Sequence, residues 1–143
     1  SLQGEVHDET SAMLTGVAGH AGLFSTVEDI SKLMAMLMSK GTLNGKEYIK
    51  SSTIELFTKR FSNSSTRALG WDTKSDSGSS AGNYFSRNSF GHTGFTGTSI
   101  WADPDKNLFV IFLTNRVHPT RDNSGIIKVR PAFHNAIIES INQ

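Results

Sequence analysis

The sequence predicts an α+β fold in which helices flank an antiparallel β-sheet. Near each end of the chain, apolar residues recur at three- and four-residue steps, which is the period of a helix with one buried face. Between these helices, residues 97–101 and the apolar run 108–113 are separated only by the turn 103–107, so they form an antiparallel hairpin. Helices and strands in separate blocks are typical of this fold class. Because few helices are available, we expect one sheet face to remain exposed.

The composition is that of a small globular protein. With 143 residues and a net charge of +1, the chain fits one domain and has no basic surface of the kind that binds nucleic acid or membranes. The absence of cysteine excludes disulfides, thiol nucleophiles and thiolate metal sites. No apolar run approaches the roughly 20 residues that span a bilayer. We therefore expect residues 1–143 to form a single domain with no membrane span and no nucleic-acid partner.

The first 22 residues show no sustained period and are predicted to form a glycine-rich loop. His7, Asp8 and His20 lie in this loop, and a zinc site needs about three or four such ligands at defined geometry. Their spacing matches no known ligand pattern, so we expect no metal site here. We expect the imidazoles to bond to the backbone instead.

Two helices are predicted from capping boxes, in which a serine is followed three residues later by a glutamate. Ser25 and Glu28 begin the first helix, which ends at Gly41, a residue type that is favoured just beyond a helix C-terminus. Ser52 and Glu55 begin a second, shorter helix. Both helices are expected to pack an apolar side against the sheet.

Short strands and loops fill the rest of the chain. An Asn-Gly pair at residues 44–45 marks a turn between two extended pieces. Residues 68–72 are predicted to form a short strand, and residues 73–87, which are rich in Ser, Gly and Asp, an exposed, mobile loop. The closing helix is predicted to begin near Arg130, so that Pro131 falls in its first turn.

The most informative stretch is residues 89–101, where a His-Thr pair lies among glycines. The three glycines are spaced three residues apart: Gly91, Gly94 and Gly97. Glycine weakens a strand unless the main chain makes an unusual turn or is approached closely. We therefore predict an edge strand whose main chain is open to a ligand, with His92 and Thr93 on it. The pattern leaves a second interpretation open, a glycine-rich hairpin in which His92 only closes a turn.

Such an edge suits a carbonyl or carboxylate ligand. A backbone N–H aimed at a developing oxyanion stabilises an acyl-transfer transition state by about 3 kcal/mol. Thr93 offers a hydroxyl, and His92 offers a hydrogen bond or a proton near neutral pH. A nucleophile with its base is missing, because the sequence contains no Ser-x-x-Lys and no serine is predicted to lie in a nucleophile elbow between a strand and a helix. The chain thus carries half of a plausible acyl-transfer site.

Five segments, in the expected order, resemble the serine β-lactamase and penicillin-binding-protein superfamily. Residues 90–97 and 99–104 resemble its third motif, which is Lys-Thr-Gly or, in many class C-like hydrolases and esterases, His-Thr-Gly. Residues 19–26 resemble the start of a helix in the same group, and residues 69–71 the strand before its variable loop. Residues 108–115 resemble the strand that follows the motif. Together the matches cover nearly the whole chain.

The resemblance implies the C-terminal part of a larger serine hydrolase that cleaves an ester, an amide or a β-lactam through an acyl-serine. The family's Ser-x-x-Lys and Tyr-x-Asn motifs do not occur here, so we expect the chain to be inactive alone. Carried over by position, His92, Thr93 and the Phe95 N–H have catalytic roles, and Gly94 and Thr96 contact substrate. Histidine in place of lysine favours an esterase- or peptidase-like activity over β-lactam turnover.

The resemblance also implies which partners the chain has. These are a small-molecule or peptide substrate and the N-terminal part of the same hydrolase, with no cofactor. Family members usually act outside the cytoplasm, which implies a periplasmic or extracellular location. Two other functions stay open at this point: a non-catalytic module that binds carboxylates of cell-wall peptides or glycans, and a purely structural domain.

Overall fold

Helices cover both faces of a four-stranded antiparallel sheet in the computed structural model, which describes residues 2–141. The helices are α1 (Glu9–Met13), α2 (Val27–Met38), α3 (Ser51–Thr58) and α4 (Ile126–Ile141). The strands are β1 (Thr42–Leu43), β2 (Lys46–Glu47), β3 (Asp72–Thr73), β4 (Phe90–Thr93), β5 (Ser99–Asp103) and β6 (Leu108–Phe112). This arrangement confirms the predicted α+β class.

The main sheet has the strand order β3-β4-β5-β6, and each neighbouring pair is antiparallel. β5 and β6 form the predicted hairpin, joined by a 3₁₀ turn at Pro104–Lys106 and by Asn107 in the left-handed region. A separate ribbon, β1-β2, turns at Asn44 and Gly45, whose φ angles are 50° and 77°. Positive φ at both central residues is what a type I′ hairpin turn requires. Both predicted turns are confirmed.

The sheet is buried on both faces. Successive residues of β5 point to opposite sides, so the strand contributes to an apolar cluster on each face. One apolar cluster lies beneath α4: Ala81, Phe85, Trp101, Val110 and Ile138. The other lies beneath α2 and α3: Met34, Met36, Leu37, Ile54, Phe90 and Ala102. The expectation that one sheet face stays exposed is therefore wrong. The segment before β4, together with α4, covers the face that appeared to lack a helix.

Both capping boxes are displaced from the true helix starts. The N-cap of α2 is Thr26 rather than Ser25, because the Thr26 hydroxyl accepts the amide hydrogen bond of Asp29 at 3.2 Å. α3 begins one residue before Ser52, with Lys50 at the N-cap and no side-chain cap. The hydroxyl of Ser51 instead donates to Glu55 one turn later, at 3.2 Å. The two helices were predicted correctly, but their first residues were not.

The closing helix begins at Ile126 rather than near Arg130. Its first-turn amides donate to the carbonyls of Ser124 and Gly125 at 3.0–3.1 Å, so the first turn is complete before Pro131. Pro131 therefore lies inside α4 rather than in its first turn. A proline at that point removes one backbone hydrogen bond, a loss that the packing of α4 on the sheet tolerates.

The predicted strand at residues 68–72 is wrong except at its last residue. Residues 68–71 form a turn, closed by a 2.9 Å bond from the Ala68 amide to the Trp71 carbonyl, so the strand is only β3. The next segment is not simply an exposed loop either, since Ala81 is fully buried and Phe85 is 3% exposed. Few apolar residues were visible in this segment, but those few enter the core.

The N-terminal segment contains one short helix, α1, where a loop was predicted. The Asp8 carboxylate caps it by accepting the amide of Ser11 at 2.7 Å. Asp8 also bonds to Nε2 of His20 at 2.9 Å, so this imidazole bonds a carboxylate rather than the backbone as expected. Within residues 2–141, no group of three or more His, Cys, Asp or Glu side chains could hold a metal ion. Over the same residues, every helix is too short or too polar to span a membrane.

Candidate active site

The second half of β4 is an open sheet edge. β3 pairs only with Phe90 and Gly91, whereas β5 pairs with the whole of β4. His92 and Thr93 therefore extend past the end of β3, and their outer backbone edge faces no strand in the described part of the chain. β4 is therefore not the edge strand that the glycine pattern predicted, since it lies between β3 and β5, but the shortness of β3 leaves its second half unpaired on one side.

The His92 ring is held by two hydrogen bonds. Its Nε2 lies 2.9 Å from Nη1 of Arg67, and its Nδ1 lies 2.8 Å from the carbonyl oxygen of Thr93. A guanidinium has only donors and a carbonyl only accepts, so Nε2 accepts and Nδ1–H donates. The imidazole is therefore neutral in this arrangement. A substrate that uses Nε2 must displace Arg67 or share the nitrogen with it.

The loop between β4 and β5, residues 94–98, presents the amide of Phe95. This N–H has no hydrogen-bond partner among residues 2–141, and the residue is 57% exposed. It lies in a turn outside the paired ladder. The amide therefore has no internal acceptor in this part of the chain.

Arg130 of α4 supports both ends of this loop. Its Nη2 donates to the carbonyl oxygens of Gly94 and Thr98, at 2.5 and 2.8 Å. The same two residues are joined by a 2.7 Å bond from the Gly94 amide to the Thr98 carbonyl. A side chain at Gly94 would lie 2.2 Å from Thr98 Oγ1, so any other residue here would have to move the Thr98 hydroxyl.

The middle of the loop is held by the segment after β6. Arg116 donates from Nε to the Phe95 carbonyl at 2.7 Å and from its amide to the Thr96 carbonyl at 2.8 Å. The Thr114 hydroxyl donates to the Gly97 carbonyl, also at 2.7 Å. Every carbonyl oxygen from residue 94 to residue 98 thus has a donor from outside the loop. Loops held in this way are pre-ordered before a ligand arrives.

The Phe95 side chain lies among basic residues. The guanidinium carbon of Arg116 stands 4.1 Å from the ring centroid and that of Arg121 stands 5.3 Å from it. The His7 ring lies 5.9 Å away at an angle of 31°. Cation–π contacts of this kind contribute about 0.5–1 kcal/mol each at exposed sites. These contacts restrain the side chain of Phe95, the residue whose backbone amide has no internal partner.

A cleft of about 260 Å³ lies beside Thr93. Arg130 lines it together with residues of β3, β5 and the segment before β4. The Arg130 side chain is about nine-tenths buried, and its Nε has no hydrogen-bond partner in the described part of the chain. Burial lowers the pKa of Arg130, and repulsion from Arg116 lowers it further. The cleft is therefore lined by both a buried cation and a threonine.

A comparison with protein families gives the same family as the sequence motif. A family model described as β-lactamase matches residues 2–131. The chain belongs to the β-lactamase family. The penicillin-binding-protein-like resemblance is thereby confirmed, and the family is one of hydrolases.

Several proteins are similar to this β-lactamase-family chain. An N-acetylmuramyl-L-alanine amidase of Bacillus subtilis is 40% identical over 121 residues, which is 82% of this chain and 27% of that protein. A putative D-alanyl-D-alanine carboxypeptidase of Escherichia coli is 34% identical over 121 residues, 82% of this chain and 28% of its own length. The chain thus spans just over a quarter of these curated relatives.

A solved structure supports the fold. A β-lactamase from Mycobacterium bovis superposes with a TM-score of 0.68 at 21% identity, covering 84% of this chain and 46% of its own. At this identity the likeness concerns the fold alone.

The residues singled out from the sequence lie together because four of them are contiguous: His92, Thr93, Gly94 and Phe95. Thr96 follows in the same turn, half-buried, with its carbonyl taken by Arg116. The contacts of three arginines at this site were not predicted from the sequence: Arg67, Arg116 and Arg130. An arginine within the apolar stretch of the closing helix was the one available signal for the last of them, since cations are rarely buried without a reason.

Proposed function

We propose that this chain forms one wall of the active site in a serine hydrolase of the β-lactamase family. A serine hydroxyl attacks the carbonyl carbon of an ester, amide or β-lactam, and the leaving group departs to give an acyl-serine. Water then attacks the acyl-serine and frees the serine. In this scheme, the Phe95 N–H binds the oxyanion in both steps. His92 and Thr93 line the site, and Gly94 and Thr96 contact the substrate.

The free amide of Phe95 is the observation that carries this proposal. An oxyanion-hole donor must be unpaired in the resting protein and fixed in direction, since reorientation during the reaction would cost free energy. The Phe95 amide meets the first condition, and the supported carbonyls of residues 94–98 favour the second. Gly94 and Thr96 contribute by keeping the turn tight.

The nucleophile belongs, in this proposal, to polypeptide that precedes the segment described. The sequence lacks Ser-x-x-Lys and Tyr-x-Asn, and the relatives are more than three times as long as the matched region. We therefore propose that residues 1–143 are a C-terminal domain whose partner is the earlier part of the same hydrolase. The names of the relatives favour the amide bonds of cell-wall peptides as substrates.

A first experiment compares this chain with the intact hydrolase. Both are assayed with a nitrophenyl ester and a chromogenic cephalosporin. We expect turnover only from the intact protein, with the ester preferred because histidine replaces the family's lysine. Turnover by the 143-residue chain would contradict the proposal that its nucleophile lies elsewhere.

A second experiment removes the amide itself. In the intact hydrolase, Phe95→Pro eliminates the N–H and should lower kcat by about 10²–10³-fold, the usual cost of one oxyanion donor. Phe95→Ala is the matched control, since it removes the ring and keeps the amide. Thermal unfolding of both variants checks that they fold. Similar kcat values for the two folded variants would exclude Phe95 as an oxyanion donor.

The cleft also favours a second candidate, a non-catalytic module that binds carboxylates. Its basis is Arg130, a buried cation with an unpartnered Nε that lines the cleft beside Thr93. Calorimetry of the 143-residue chain with D-alanyl-D-alanine tests this candidate. Binding that survives in the isolated chain and disappears in Thr93→Val supports the module, whereas the absence of heat supports a site completed by other residues.

A further inference from the structure

We propose that Arg130 is a positioning residue that sets the direction of the Phe95 N–H. This inference rests on the proposed function, because it explains how the chain orders its oxyanion donor. Arg130 lies on α4, 36 residues after Gly94, whose carbonyl it binds at 2.5 Å. Neither the motif nor the comparisons assign it a role.

Arg130 acts on the N–H of Phe95 through the geometry of one peptide unit. The Gly94 carbonyl and the Phe95 N–H belong to the same planar trans amide, in which the two groups point in opposite directions. A donor that fixes the carbonyl therefore fixes the N–H on the other side. Since Arg130 holds the carbonyl from the α4 side of the sheet, the N–H points away from α4.

One nitrogen of the Arg130 guanidinium holds both ends of the loop. Nη2 of Arg130 bonds to the carbonyls of Gly94 and Thr98 together, so it spans the mouth of the loop. A single flexible donor could hold one carbonyl and allow the peptide to rotate. Two carbonyls on one planar group allow much less rotation, because the arginine is itself packed and about nine-tenths buried.

The positive charge of Arg130 also affects the Phe95 N–H. A cation bonded to the carbonyl oxygen polarises the amide and makes its N–H a stronger donor. No carboxylate lies within ion-pair distance of Arg130 in the described residues, so its charge is not neutralised there. The N–H gains this effect only while the Gly94 carbonyl stays on the guanidinium.

Arg116 provides a contrast within the same loop. Its Nε binds the carbonyl of Phe95, which belongs to the next peptide and so directs the N–H of Thr96. The two arginines therefore hold successive peptides. The Gly94 carbonyl also accepts the Gly97 amide at 3.2 Å from within the loop, but among the described side chains only Arg130 binds the peptide that we propose as the oxyanion donor.

The test uses the intact hydrolase and a neutral nitrophenyl ester. We expect Arg130→Met to lower kcat by about tenfold, a part of the full loss of one oxyanion donor, with KM nearly unchanged. Arg130→Lys keeps a cation without the planar fork and should recover part of the loss. Affinity for phenylboronic acid, whose adduct with the serine places an oxygen where the oxyanion forms, should fall in parallel with kcat.

Arg60→Met is the matched control. Its Nε donates to the Ser65 carbonyl at 3.0 Å in an exposed loop, so the variant also removes one arginine–carbonyl bond. We expect it to leave kcat and KM unchanged. Thermal unfolding is recorded for every variant. If Arg130→Met fails to fold, Arg130→Lys carries the test, and a wild-type kcat in that variant overturns the inference.

A double-mutant cycle separates the inference from the proposed function. If Arg130 acts through the Phe95 amide, then Arg130→Met should cost nothing further once Phe95→Pro has removed that amide. The inference is overturned if Arg130→Met lowers kcat in the Phe95→Pro background by as much as it does in the wild type. It is also overturned if Arg130→Met raises KM with kcat unchanged, because that would mean direct contact with substrate. If Phe95→Pro itself has no effect, the proposed function fails first.

Discussion

His134 should make the folded chain lose stability in mild acid. The side chain is fully buried on α4, with Nδ1–H donating to the Arg130 carbonyl at 2.8 Å. Its Nε2 is buried without a hydrogen-bond partner among the described residues, and its ring contacts those of Phe85 and Phe133 edge-on. Burial lowers the pKa of His134 to about 4, and the Arg130 cation contributes to that lowering.

The magnitude follows from the two pKa values. In the unfolded chain the His134 pKa is the ordinary 6.5. Above pH 6.5 the imidazole is neutral in both states, so it causes no pH dependence. Between pH 6.5 and about 4 only the unfolded state binds the proton, and the free energy of unfolding falls as the pH falls. At about 1.4 kcal/mol for each pH unit, the loss is about 3 kcal/mol.

Urea unfolding of the wild type and of His134→Phe at pH 7, 5.5 and 4 measures this loss. Phenylalanine keeps an aromatic ring between its two neighbours and cannot titrate. The wild type should lose about 3 kcal/mol more than the variant between pH 7 and pH 4. Exposed carboxylates with lowered pKa values, such as Asp8 and Glu9, titrate in both proteins and cancel. Equal losses in the two proteins would refute the reasoning.

Two further predictions concern packing and capping. Gly91→Ala should destabilise the chain by about 2 kcal/mol in urea unfolding, because its Cβ would lie 2.2 Å from a backbone carbonyl and 2.5 Å from a buried indole ring. Gly19→Ala, which meets nothing within 4 Å, should be near neutral, and equal effects would contradict the packing argument. Thr26→Ala should cost about 1 kcal/mol through loss of the α2 N-cap. Ser25→Ala should cost much less. A larger cost for Ser25→Ala than for Thr26→Ala would mean that Ser25 is the N-cap, as the sequence predicted.

The sequence was sufficient for the fold class, and the His-Thr stretch that it singled out lies where β4 is left unpaired on one side. The helical period of apolar residues and the capping boxes depend on neighbours three or four residues away, and such patterns are visible in a linear chain. The glycines around the His-Thr pair were also informative, but for a different reason at Gly91. There the missing side chain makes room for the Trp101 ring of the adjacent strand rather than for a ligand.

The supports of the site could not be predicted, because they join distant parts of the sequence. Arg67 reaches His92 across 25 residues, and Arg130 reaches Gly94 across 36. No periodic pattern within a short stretch of sequence indicates such contacts. The burial of segment 73–87 was missed for a similar reason, since two apolar side chains in a polar stretch carry no pattern and only the finished sheet gives them a place.

The support of loop 94–98 from two later segments has a consequence for engineering. A designer who transplants residues 90–98 alone into a foreign scaffold would carry over the sequence motif and leave behind the donors that shape it. The smallest portable unit runs from β4 through Arg130, because Thr114 and Arg116 lie between. A graft of that length brings its own second and third strands, and the recipient must supply both a matching edge and the apolar cover that α2, α3 and the segment before β4 provide here.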